Sequence, residues 1–186
     1  MRALGAEIIN TPKEKGMLGS IERSRELLNN IPNSISLRQF ENKDNPNAHY
    51  LTTGSEIYKD MEENIDYFVA SAGSGGTFTG VTSYLKEKSK NIKSILVDLA
   101  GSTMGGGDEG CYGIKGIGNN FIPDTKDMGL VDKIIKVNDE ESFHMVRELS
   151  KRKGLIVGSS LEAALAGALK LSQFIDRGNI SYSLSR

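Results

Sequence analysis

The sequence predicts an α/β fold, a mostly parallel sheet covered by helices. Three observations predict it. Short apolar runs rich in β-branched residues recur along the chain. Helical apolar periodicity occupies most of the stretches between them. Glycine supplies 21 of 186 residues, above the usual ~7%, and the excess falls in three loops (73–80, 101–118 and 154–158) rather than in a tail. Strands alternating with helices imply a parallel sheet with helices on its faces.

The strands come in order. AEII (6–9), ISL (35–37), YFVA (67–70), SILV (94–97) and KIIKV (133–137) are short, mostly continuous apolar runs, as expected of strands buried on both faces. LIV (155–157) and ISYSL (180–184) are two further candidates. A helix is expected over 77–90, with Phe78, Val81, Tyr84 and Leu85 on one face. Another is expected over 139–152, with Phe143, Val146 and Leu149 inward and Asn138 paired with Glu141 as a cap. A third, over 161–175, places Leu161, Ala164, Leu165, Ala168 and Leu169 at helical spacing, and Gly178 stops it. The chain opens almost at once into a strand and closes on the serine-rich SYSLSR, so we expect a fragment rather than a complete domain.

Composition excludes several classes. Lys and Arg number 23 against 24 Asp and Glu, a balance that gives no electrostatic footprint for nucleic acid or an anionic membrane surface. No apolar run approaches the roughly 20 residues of a membrane span, and the N-terminus lacks the charged and apolar regions of a signal peptide. One cysteine, Cys111, excludes an internal disulfide framework and fits a reducing cytoplasm, where we place the protein. Neither His49 nor His144 has metal-ligand spacing to a second histidine or a cysteine, so no metal site is expected.

SAGSGGTFTG (71–80) joins the run YFVA to the helix that follows. Strand, glycine loop and helix N-terminus together make an anion site: backbone N–H groups point outward and the helix dipole favours negative charge. Ser74 and Thr77 add hydroxyls. The dinucleotide pattern G-x-G-x-x-G fails at Phe78, and the P-loop pattern lacks its lysine, which is Val81 here. A nucleoside triphosphate is therefore disfavoured. A single phosphate held by amides and hydroxyls needs no lysine, and a glycine turn without a ligand remains the alternative.

GSGGTFTG resembles the phosphate loop of the pyridoxal-phosphate enzymes of the cysteine synthase and cystathionine β-synthase family. ALGAEI (3–8), QFENKDNPNAHYLTTGSEI (39–57), KGIGNNFIP (115–123), VDKIIKVNDEESF (131–143) and GLIVGSS (154–160) resemble further segments of that family, in the same order. The resemblance implies the larger domain of a fold-type-II pyridoxal-phosphate enzyme over 41–186, incomplete at its C-terminus, with 1–40 as the C-terminal part of the smaller domain. It implies that Gly73, Ser74, Gly75, Gly76 and Thr77 wrap the phosphate of pyridoxal 5'-phosphate and that Ser160 bonds the pyridine nitrogen. A neutral serine there suits β-elimination and replacement over transamination. Gln39 is expected near the substrate carboxylate, and Gly116, Ile117 and Gly118 along the pocket. The implied reaction is β-replacement on serine or O-acetylserine by a thiol, giving cysteine from sulfide or cystathionine from homocysteine, in a homodimer. No residue of this chain matches the family's Schiff-base lysine, so none is named catalytic. A non-catalytic phosphate-ligand-binding module and an inactive truncated product are the alternatives. Leu161 and Glu162 depart from the family pattern, which has small residues beside the ring.

Overall fold

The apolar runs that find partners become strands. The structure, a computed structural model, describes residues 1–175 and 180–182. It divides into two units, Met1–Arg38 and Gln39–Arg186. In the second, β1 (Tyr67–Ser71), β2 (Lys93–Leu99), β3 (Lys133–Val137) and β4 (Ile180–Tyr182) form a sheet of order β3-β2-β1-β4. All pairings are parallel, with Val69 opposite Ile95, Val97 opposite Ile135 and Val69 opposite Tyr182. Residues 183 and 184 of the expected last strand, the rest of SYSLSR and the stop at Gly178 lie outside the described residues.

Alternation along the strands builds two cores. Val69, Ile95, Val97, Leu99, Ile135 and Val137 face one way, against α6 (Ser159–Ser172). Phe68, Ala70 and Leu96 face the other, against Phe78, Val81 and Leu85 of α4 (Gly76–Lys88). Each fully buried Phe or Leu contributes roughly 1.5–3 kcal/mol of transfer free energy. Gly167 of α6 sits so close to the sheet that a Cβ there would meet Val97 Cγ2 at 2.3 Å. Two helices absent from the sequence reading, α2 (Asp44–Leu51) and α3 (Thr53–Asp60), pack on α4. Gly80 permits that approach, since a Cβ would lie 2.1 Å from the Pro46 carbonyl. Tyr84 stacks edge-on with Tyr50 and Tyr58.

α5 (Asp139–Lys153) starts with the expected cap: Asn138 Oδ1 accepts from Glu141 N, and Glu141 Oε2 accepts from Asn138 N. Its inner face differs from expectation. Val146 and Leu149 turn inward as expected, joined by Ser142 and Met145, while Phe143 is exposed. On α6, Leu169 is likewise exposed. Lys86 of α4 pairs with Asp132 at 2.6 Å.

Three expected strands do not form. AEII (6–9), ISL (35–37) and LIV (155–157) are irregular segments without ladder partners among the described residues, and Ile35 and Ile156 are each 87% exposed. A strand exists only through hydrogen bonds to a neighbour, and a three- or four-residue apolar run does not itself specify one. The unit Met1–Arg38 contains instead α1 (Gly16–Asn30) and two short 3-10 turns.

Candidate functional site

Parallel strands followed by helices place the helix N-termini at the strands' C-terminal edge, where crevices of α/β sheets form. β1 ends at Ser71, and residues 72–75 lead into α4. Gly75 is the N-cap, in the left-handed region at φ 86°, and no side chain caps the helix. The glycines are there because the surroundings leave no room. A Cβ on Gly73 would lie 2.4 Å from the Gly116 carbonyl oxygen, on Gly75 2.5 Å from Lys126 Cβ, and on Gly76 2.0 Å from Asn45 Oδ1.

These neighbours hold the loop from outside. Asn45 Nδ2 lies 2.7 Å from the Gln39 carbonyl and 3.0 Å from Ser74 Oγ, donating to both. Thr125 Oγ1 donates to the Ser74 carbonyl at 2.6 Å, and Asn119 Nδ2 to the Gly73 carbonyl at 2.7 Å. Gly118 N donates to the Ala72 carbonyl at 2.9 Å. The loop's carbonyls are thus tied down while its amides are not. Among the described residues, the N–H groups of Gly73, Ser74, Gly75 and Thr77 donate to no protein acceptor, and Gly76 N reaches only Ser74 Oγ, at 3.5 Å. Thr77 Oγ1 is 3.1 Å from His49 Nε2, and His49 Nδ1 is 3.0 Å from Thr53 Oγ1. Partial burial lowers the His49 pKa, favouring the neutral ring.

α6 begins at the same edge on the opposite face. Ser71 Oγ, at the end of β1, donates to the Ser160 carbonyl at 3.4 Å. Ser160 therefore sits beside the strand from which the glycine loop departs. It lies in the first turn of α6 and is not the cap, which is Gly158. Glu162, two residues on, is completely buried, and neither carboxylate oxygen has a hydrogen-bond partner. Desolvation pushes its pKa up to about 7.

The structure brings Gly73, Ser74, Gly75, Gly76, Thr77, Gly116 and Gly118 together, with Ser160 across the end of β1. Gln39 joins through its backbone, and its side chain is exposed. Ile117 puts its side chain into the core, so in 116–118 the backbone approaches Gly73. Asn45, Asn119, Thr125 and Lys126 were not singled out from the sequence; asparagines and threonines in polar loops carry no periodic signal.

An open nest of amides at a helix N-terminus, too tight for any Cβ, fits a phosphate monoester. The family described as pyridoxal-phosphate dependent enzyme matches residues 1–185. The chain belongs to that family. It is 45% identical over 170 residues to an O-acetylserine dependent cystathionine beta-synthase of Bacillus subtilis, covering 91% of this chain and 55% of the relative. It is 47% identical over 179 residues to a cysteine synthase of Helicobacter pylori, covering 96% and 59%. The crystal structure of an O-acetylserine dependent cystathionine beta-synthase from Helicobacter pylori superposes with a TM-score of 0.90 at 44% identity, covering 97% of this chain and 59% of that one. The chain thus spans little more than half the length of these relatives. The family's cofactor is pyridoxal 5'-phosphate, and the glycine loop is the part of this chain that fits its phosphate. Among the described residues, no group of His, Cys, Asp or Glu could hold a metal ion, and no helix is long and apolar enough to cross a membrane.

Proposed function

We propose that this chain carries the phosphate-binding part of a β-replacement enzyme of sulfur amino-acid biosynthesis. The enzyme acts on serine or O-acetylserine with sulfide or homocysteine as thiol. The carrying observation is the set of open amides at 73–77, which follow the end of β1 where Ser71 bonds the Ser160 carbonyl in the first turn of α6. The names of the relatives, cysteine synthase and O-acetylserine dependent cystathionine beta-synthase, support the reaction class.

In this reading the amides of residues 73–77 and the Thr77 hydroxyl bind the phosphate dianion, aided by the α4 dipole. Thr125 and Asn119 keep the Ser74 and Gly73 carbonyls turned away from it, and Asn45 holds the Ser74 hydroxyl. Ser160 offers its hydroxyl to the pyridine nitrogen, a neutral partner that does not force a proton onto the ring. When bound, the coenzyme supplies an electron sink for the pair left at the substrate α-carbon. Gln39 and the backbone of 116–118 position the amino acid and exclude water. We assign residues 1–40 to the tail of a smaller domain and 41–186 to the larger one, and expect the whole enzyme to be a homodimer.

Titrating the purified chain with pyridoxal 5'-phosphate, followed by absorbance and fluorescence, tests the reading. A saturable change is expected. Thr77→Val should weaken it about tenfold, the loss of one charge-assisted hydrogen bond. No saturable change, or one that Thr77→Val leaves intact, would remove the proposal. Incubation with O-acetylserine and each thiol then separates an enzyme, which forms product, from a binding module, which does not.

A further inference from the structure

The glycine loop lacks the lysine of a P-loop, yet a lysine from another segment lies beneath it. Lys126 is 6% exposed, and its Nζ has no hydrogen-bond partner. Its Cβ packs so closely under Gly75 that any side chain there would collide with it. From that point the chain runs under the first turn of α4, and Nζ rests 4.0 Å from the centre of the Phe78 ring. Phe78 is fully buried and two residues inside the helix start. An amine with no hydrogen-bond partner among the described residues, held over an aromatic face below an open anion nest, is costly unless something repays it.

We propose that Lys126 is the buried countercharge of the phosphate cradle: a phosphate dianion seated on residues 73–77 draws a proton from solvent onto Nζ. The proposal rests on the reading of that loop as a phosphate site. Charges separated by low-dielectric protein interact far more strongly than across water, so direct contact is unnecessary. Desolvation brings the amine down to about 7, with Asp98 opposing that shift, so its charge responds to a nearby dianion.

The surrounding groups leave it available. Asp98 on β2 is committed to Lys136 of β3 at 2.7 Å and to Gly105 N at 2.8 Å. α4 presents Phe78 and Thr79, neither ionisable in this range, and Thr79 Oγ1 accepts from Asp127 N. In Lys126's own loop, Asp127 Oδ1 accepts from Gly129 N, and the Asp124 carbonyl accepts from Lys43 Nζ.

The probe is pyridoxine 5'-phosphate, whose alcohol cannot condense with an amine. Calorimetry near pH 8 in buffers of different ionisation enthalpy reads the protons taken up on binding, in the present chain and in Lys126→Met. We expect net uptake on the order of half a proton in the wild-type chain beyond that in the variant. Affinity should drop about twofold in Lys126→Met near pH 8, rising to about tenfold as pH falls below 7. Sulfate, which does not titrate here, should lose affinity by the same factor. Equal proton uptake in both proteins, unchanged affinity in Lys126→Met, or a loss for pyridoxine 5'-phosphate but not sulfate would each overturn the proposal. If Lys126→Met folds poorly, absence of proton uptake by the wild-type chain still overturns the proposal. Binding that Thr77→Val weakens and Lys126→Met does not defeats the lysine alone. Absence of binding by the wild-type chain defeats the loop reading and the lysine with it.

Discussion

Helices α4 and α5 both begin at the C-terminal edge of the sheet, directly after β1 and β3, and they begin in opposite ways. α5 closes its own end. Asn138 and Glu141 exchange hydrogen bonds, and Asp139, Glu140 and Glu141 fill the first turn with negative charge. α4 has a glycine at the cap, no side-chain cap and no acid in its first turn. The first arrangement consumes the orphan amides and the dipole within the chain; the second leaves both for a guest. Sequence chemistry at two equivalent positions of one fold thus separates a structural helix start from a binding one.

Replacing Gly76 with alanine should break the open end most severely. The new Cβ would lie 2.0 Å from Asn45 Oδ1, so Asn45 must leave Ser74 and the Gln39 carbonyl. We expect at least a hundredfold loss of pyridoxine 5'-phosphate affinity and roughly 1–3 kcal/mol of stability from overpacking. Affinity within about threefold of the wild-type chain would mean the nest is not the site.

α6 gives a third variant of the same edge, and Glu162 sharpens the contrast. Its carboxyl titrates near 7 in the folded chain against 4.5 when solvated, so the native state holds the extra proton between those values. Stability should therefore fall as pH rises from 4.5 to about 7, with the full deficit present above that. Glu162→Gln should stabilise the chain above pH 7 by at most about 3 kcal/mol and be neutral below pH 4.5. Urea unfolding at both ends of the range measures it. An equal effect at the two pH values would assign the change to packing instead. At the closed end, Asn138→Ala should cost about 1 kcal/mol of stability while leaving phosphate-ester affinity unchanged. A loss of affinity there would erase the distinction between the two helix starts.

Much of this was legible in the residues. YFVA, SILV and KIIKV read as strands, and each finds a parallel neighbour in the sheet. The cap of α5 was visible because its chemistry is local. AEII, ISL and LIV misled because pairing is not local, and a short apolar run looks the same with or without a neighbour. α2 and α3 were missed: α2 carries almost no amphipathic signal, and its place is set by Gly80 and Tyr84 of α4. At the candidate site, the glycine loop announced itself by composition. Its supports did not, since Asn45, Asn119, Thr125 and Lys126 reach it across tens of residues of sequence.

The smallest expected effect concerns how Thr77 is aimed. His49 lies between the hydroxyls of Thr53 and Thr77, and with a neutral ring it can donate to only one of them. If Nε2 donates to Thr77 Oγ1 and Nδ1 accepts from Thr53, the Thr77 hydrogen remains for a phosphate oxygen. The opposite tautomer would spend that hydrogen on the ring. The binding network therefore selects the first. His49→Ala removes this constraint, and because water can replace the ring we expect only about a threefold weakening for pyridoxine 5'-phosphate. The decisive measurement is the double variant. If His49 acts through Thr77, its removal adds nothing once Thr77→Val has been made, and the cycle shows a coupling equal to the single His49 effect. Independent losses that simply multiply would instead place His49 outside the phosphate site, as packing between α2 and α4.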